Sequence, residues 1–104
     1  MSKKFKIAII GCGARSIAYA KNLTASSEVE LVACAEPDRE HLRTMLSYTS
    51  VKEEDLRIYP DWKDLCDNEK SLDGVVIVTP NYLHHQPASE IIRRGIPQIG
   101  RAHV

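Results

Sequence analysis

Two short apolar runs stand out in this 104-residue chain: Ile7-Ala8-Ile9-Ile10 and Gly74-Val75-Val76-Ile77-Val78. A strand with one wet face alternates apolar and polar residues. A run that is apolar at every position suits a strand covered on both faces, as in the middle of a parallel sheet. Each run is followed by a break and then by helical periodicity. Strands are expected over residues 6–10, 30–35, 57–59 and 74–78, with a fifth opening over 96–99. Helices are expected over residues 14–24, 38–49 and 81–94, with a brief one after Asp61. Leu42, Met45, Leu46 and Thr49 fall at i, i+3, i+4, i+7 of the second helix, and Asp38 is placed to cap it. Asn81 is placed to cap the last helix, and Gly95 followed by Pro97 stops it. Strands alternating with helices of this length predict a single α/β domain. Its sheet is parallel and doubly wound, Rossmann-like, in strand order 3-2-1-4-5 with helices on both faces.

Composition narrows the partners. Lys and Arg together number 14, as do Asp and Glu, so the net charge is zero with neutral histidines. A balanced chain has no broad attraction for nucleic acid or an anionic membrane, and neither is expected as a partner. No apolar run approaches the roughly 20 residues of a membrane helix. The basic start is followed by too short an apolar run for a signal peptide. Cys12, Cys34 and Cys66 are odd in number and widely spaced, with no CxxC pair. That usage fits a reducing cytoplasm, the expected location.

The residues richest in chemistry are Gly11-Cys12-Gly13-Ala14-Arg15-Ser16, placed where a strand ends and a helix begins. Gly11 permits a tight turn, and Gly13 lets backbone approach a pyrophosphate with no side chain between them. The third position wants a small residue, and Ser16 stands there in place of Gly or Ala. N–H groups at the helix start would hold the anion. Glu36 follows the second strand, about 20 residues beyond Ser16, where an acid accepts hydrogen bonds from the adenosine ribose and repels a 2′-phosphate. This favours NAD, while Arg39 nearby keeps NADP open. The plain alternative is a glycine-containing turn and a solvated Glu. For Arg15, a solvated helix-start side chain stands beside a pyrophosphate contact. Cys12 is read as a turn residue open to solvent that fills space. Cys34 is read as a core residue and Trp62 as a core anchor. The adjacent His84 and His85 point apart on a helix and make a poor chelating pair, so no metal site is expected.

Ile-Gly-Cys-Gly at residues 10–13, Ala-Glu-Pro-Asp at 35–38 and Thr-Pro-Asn-x-x-His at 79–84 together resemble the glucose–fructose oxidoreductase and inositol dehydrogenase family, also written Gfo/Idh/MocA. The resemblance spans nearly the whole chain. It implies an NAD(P)-dependent oxidoreductase acting on a sugar, cyclitol or related polyol; a branch of the family hydrolyses glycosides with NAD. It implies that Gly11, Gly13, Arg15 and Ser16 line the pyrophosphate and that Glu36 meets the ribose; Cys12 and Ala14, within the same turn, and Arg39, close to Glu36 in sequence, are further expected cofactor-binding residues. Thr79, Pro80, Asn81 and His84 would border the nicotinamide half. Without the family in view, Thr79-Pro80-Asn81 reads as a strand stop and helix cap. The family pattern continues with a strand ending in Glu-Lys-Pro and a second domain that carries the substrate pocket. Here the chain instead reads Ile-Gly-Arg-Ala-His-Val over residues 99–104. Residues 1–98 are therefore expected to be a cofactor-binding fragment, and 99–104 a non-native tail similar to a translated sequencing adapter. On that reading no catalytic residue lies in this chain, turnover by it alone is not expected, and any homo-oligomer would form through the absent domain. A stand-alone dinucleotide-binding or redox-sensing module is the competing reading.

Overall fold

The computed structural model describes residues 4–69, 71–78, 93, 95 and 98–101. The elements run β1 (Phe5–Ile10), α1 (Ala14–Thr24), β2 (Val29–Ala35), α2 (Arg39–Leu46), β3 (Arg57–Tyr59), α3 (Trp62–Asn68), β4 (Gly74–Ile77) and β5 (Gln98–Arg101), with a 3-10 turn at Glu53–Asp55. The sheet has five strands in the order β3-β2-β1-β4-β5. All neighbours are parallel, as the alternation predicts.

The centre of the sheet, Ile7–Ile10, Leu31–Ala35 and Gly74–Ile77, is buried on both faces. Ile7 and Ile9 of β1 face one core cluster with Leu31, Cys34 and Val76, covered by Ala20 of α1 and by Leu42, Met45 and Leu46 of α2. Ala8 and Ile10 face the other with Ala33, Ala35, Val75 and Ile77, covered by Leu65 and Cys66 of α3. Cys34 is a core residue as expected, and Trp62 is half-buried against this second cluster.

One irregularity decides which way the end of β2 faces. Ile7 pairs with Leu31, but the next residue, Ala8, pairs with Ala33. Val32 is the extra residue of this bulge. It breaks the strict alternation, so Leu31 and Cys34 share the α1–α2 side while Val32, Ala33 and Ala35 share the other. A bulge re-aims every residue after it. Glu36 therefore continues in phase with Cys34, toward α1.

Several boundaries differ from the sequence reading. Helix α2 ends at Leu46 rather than Thr49. The amides of Tyr48 and Thr49 bond carbonyls three residues back, at 3.2 and 2.9 Å. The Ser47 and Thr49 hydroxyls donate to the Thr44 and Leu46 carbonyls at 2.6 and 2.9 Å. Such local bonds compete with helix continuation. Strand β5 covers Gln98–Arg101 and so runs past the expected residue 99, pairing Val76 with Gly100 and Ile77 with Arg101; residues 96 and 97 lie outside the described residues. The 3-10 turn had no apolar period to announce it. The helix expected over 81–94 lies outside the described residues except Arg93, which is helical; Gly95 follows with φ 76°.

Edge strand β3 is tied down by a carboxylate. Glu69, just after α3, is 5% exposed. It receives Arg57 Nε at 2.5 Å, Arg57 Nη2 at 2.7 Å and the Tyr59 hydroxyl at 2.6 Å. The Arg57 guanidinium holds the Glu69 carboxyl below its ordinary value of 4.5. Burial, reinforced by Glu69, pushes the Tyr59 hydroxyl up. A carboxyl depressed in the folded state contributes stability above its unfolded pKa and loses it as pH falls through the folded value. Glu69→Gln should therefore cost about 1–2 kcal/mol at pH 7, discounted for the exposure of Arg57. It should also flatten the fall in stability below about pH 4.5. Urea unfolding of both proteins across that range measures both effects.

Candidate functional site

The carboxyl edge of the sheet gathers most of the residues singled out from sequence. Gly11 leaves β1 with φ 91°, a left-handed conformation that only glycine adopts freely. Its N–H donates to the Ala35 carbonyl at 2.9 Å, so the turn begins anchored to β2. Gly13 then takes the cap position of α1 in extended backbone, with no side-chain hydrogen bond capping the helix. The first turn of α1, which contains Ala14 and Arg15, carries no acidic residue. Its N–H groups and dipole are left to favour an anion from elsewhere.

Gly13 is informative because the fold does not need a glycine there. Its φ is −73°, which any residue adopts. A Cβ built on it meets nothing within 4 Å. Gly11 is required by backbone geometry, whereas at Gly13 the chain simply leaves space in front of the helix. Ser16 explains the third position. It is fully buried, and its hydroxyl donates to the Gly13 carbonyl at 2.6 Å. A serine fits the tight helix–strand contact because its one polar group is satisfied inside the turn.

Glu36 closes the site from the side. It is 9% exposed. One carboxylate oxygen accepts the Cys12 N–H at 2.7 Å, and the other accepts the Asp38 N–H at 3.0 Å. Its own N–H donates to the Tyr59 carbonyl at 2.9 Å. Glu36 thus ties together the glycine-rich turn, the entry to α2 and the end of β3. Each carboxylate oxygen has room for a second donor. Asp38 caps α2 as expected, accepting from the Glu40 and His41 amides at 2.9 and 3.3 Å.

Cys12 departs from its reading as a solvent-open turn residue: it is buried, 2% exposed, in the α1–α2 core. Its thiol pKa is pushed far up, first by hydrogen bonding with Cys34 and then by burial. The thiol therefore stays protonated and fills space, and what it presents to the turn is its backbone. The reason is the positive φ of Gly11, which rolls the next side chain inward.

Arg39 begins α2, and its guanidinium pairs with Glu53. Its Nη1 lies 3.4 Å from Glu53 on the 3-10 turn, and Glu53 also takes Arg43 Nε at 3.2 Å. Thr79, Pro80, Asn81 and His84 lie outside the described residues, as does His85. The approach to them is visible: the Val78 N–H donates to the Ile10 carbonyl at 2.7 Å, so β4 ends beside the start of the turn. Among the described residues no group of His, Cys, Asp and Glu could hold a metal ion. None of their helices is long and apolar enough to cross a membrane. The sequence reading missed the bonds of Glu36 to the turn and the bracket around Glu53. The first needs the bulge at Val32, and the second needs a turn with no periodic signal.

Comparison with known proteins agrees with this fold. Residues 5–101 match the profile of an oxidoreductase family described as having an NAD-binding Rossmann fold. Among solved structures, myo-inositol dehydrogenase of Lactobacillus casei, in complex with NAD(H) and myo-inositol, superposes with a TM-score of 0.79 at 21% identity over 93% of this chain and 28% of its own. Myo-inositol 2-dehydrogenase of Lactobacillus plantarum gives 0.77 at 26% over 94% of this chain and 28% of its own. The WlbA dehydrogenase of Bordetella pertussis, with NADH and UDP-GlcNAcA, gives 0.75 at 22% over 94% and 28%. The chain thus spans just over a quarter of the length of these relatives. No curated protein matches the sequence.

Loss of the Glu36 carboxylate should be felt without any ligand. Glu36→Ala leaves the buried Cys12 N–H unpaired and should cost about 1–3 kcal/mol. Hydrogen exchange at the Cys12 amide should accelerate beyond that of the β1 amides. Denaturation in nucleotide-free buffer and amide exchange check this; unchanged exchange at Cys12 would contradict the bracing role.

Proposed function

Because the chain belongs to the Gfo/Idh/MocA oxidoreductase family as its NAD-binding Rossmann domain, we propose that it is the cofactor half of a dehydrogenase acting on a CH–OH group of a sugar, cyclitol or related polyol. The pyrophosphate of NAD is assigned to residues 11–16, where the uncapped start of α1 faces the space in front of Gly13. The adenosine ribose is assigned to Glu36, whose oxygens each keep a lone pair for a hydroxyl. Its negative charge disfavours a 2′-phosphate, so NAD is preferred over NADP. The nicotinamide half is assigned to the segment after Val78, with Thr79, Pro80, Asn81 and His84. Bound NAD supplies the hydride acceptor; this domain binds it, orients it and keeps the turn in shape. The substrate class is carried over from the inositol and sugar dehydrogenases that share the fold.

The observation that carries this reading is the space at Gly13, because none of the described residues uses it. Gly13→Ser separates the two explanations of that glycine. Serine is at least as good as glycine at a helix cap, so thermal stability should hold or rise. Its side chain would stand where the pyrophosphate lies, at a cost of about 1–3 kcal/mol, roughly tenfold or more in NAD affinity. Calorimetric titration of NAD together with a melting curve reads both. Wild-type affinity in a well-folded Gly13→Ser protein would remove the turn from the binding site.

A further inference from the structure

We propose that Glu53 is a specificity-determining residue for the cofactor, acting through Arg39: it holds that guanidinium away from the 2′ position of the adenosine ribose. The proposal rests on the cofactor reading above and adds a residue outside the glycine-rich turn.

Arg39 is the first helical residue of α2, directly after the Asp38 whose amide bonds Glu36. It is the cation of the loop that carries the ribose-binding acid, and His41 in the same turn already lies 3.7 Å from Asp38. A guanidinium here is the group that would turn a ribose site toward a 2′-phosphate, through paired charge-assisted hydrogen bonds. In this chain it is engaged elsewhere. Glu53 Oε2 lies 3.4 Å from Arg39 Nη1, and Glu53 Oε1 lies 3.2 Å from Arg43 Nε. One carboxylate thus bridges two arginines on successive turns of α2. The arginine side chains are 55% and 67% exposed, so these pairs add little to stability. What they do is direct the Arg39 side chain toward the 3-10 turn. Glu36 repels a 2′-phosphate from one side, and Glu53 withdraws from the other side the cation that would welcome it.

The test is titration of the full 104-residue chain with NAD and with NADP. Glu53→Gln should narrow the preference for NAD about fivefold, by tightening NADP while leaving NAD nearly unchanged. Full inversion is not expected while Glu36 remains. Glu54→Gln removes the same charge one residue along without releasing either arginine, and should leave the ratio alone. Arg39→Ala placed on Glu53→Gln should cancel the gain. Arg39→Ala by itself should leave the ratio as in wild type, a measurement that does not depend on the folding of any Glu53 variant. An unchanged ratio in Glu53→Gln, an equal shift in Glu54→Gln, or a gain that survives Arg39→Ala overturns the proposal while leaving the cofactor reading standing. Failure of the wild-type chain to bind either nucleotide overturns both.

Discussion

A chain that leaves a buried strand and enters a helix passes through backbone whose N–H groups no helix or sheet can satisfy. In this protein one of them, on Cys12, lies over the core, because the positive φ of Gly11 rolls the cysteine side chain inward. The Glu36 carboxylate takes that N–H at 2.7 Å. Without an acceptor there, the turn would carry an unpaired buried donor, and such a group costs more than most single contacts contribute. Through this bond and its partner to the Asp38 N–H, one carboxylate joins the glycine-rich turn to the entry of α2.

Three glutamates show how burial sets the job of a carboxylate. Glu36 meets backbone amides, so it shapes a turn while keeping acceptor capacity for hydroxyls. Glu69 meets a guanidinium fork and a phenol, so it fastens β3, whose last carbonyl receives the Glu36 amide. Glu53 is partly solvated, and its ion pairs direct side chains more than they stabilise the fold. The edge of the sheet that would receive an anionic cofactor is thus held by negative groups whose charges are already committed. For such an anion the positive field would come from the helix start and its N–H groups.

Much of this was legible in the residues. The uncharged runs at 7–10 and 74–78 announce strands covered on both faces, and every described residue in them is buried. Glycine at 11, a small residue at 16 and an acid at 36 are each demanded by local chemistry: a left-handed turn, a close helix contact and a polar strand end. Helix ends and the last strand were less legible. They turn on hydroxyls that compete for carbonyls, at Ser47 and Thr49, and on main-chain pairing, which is nearly blind to side chains, at β5.

The sequence by itself determined the fold class, the strand order and the place of the glycine-rich turn, because hydrophobic period and glycine geometry act over a few residues at a time. Only the tertiary structure decided where Glu36, Cys12 and Arg39 point. The bulge at Val32 turns Glu36 toward α1, the roll at Gly11 buries Cys12, and Glu53, 14 residues along the chain, draws Arg39 aside. The bulge and the ion pair each depend on a partner from another element, and a pattern read along one strand or helix carries no information about which partner arrives.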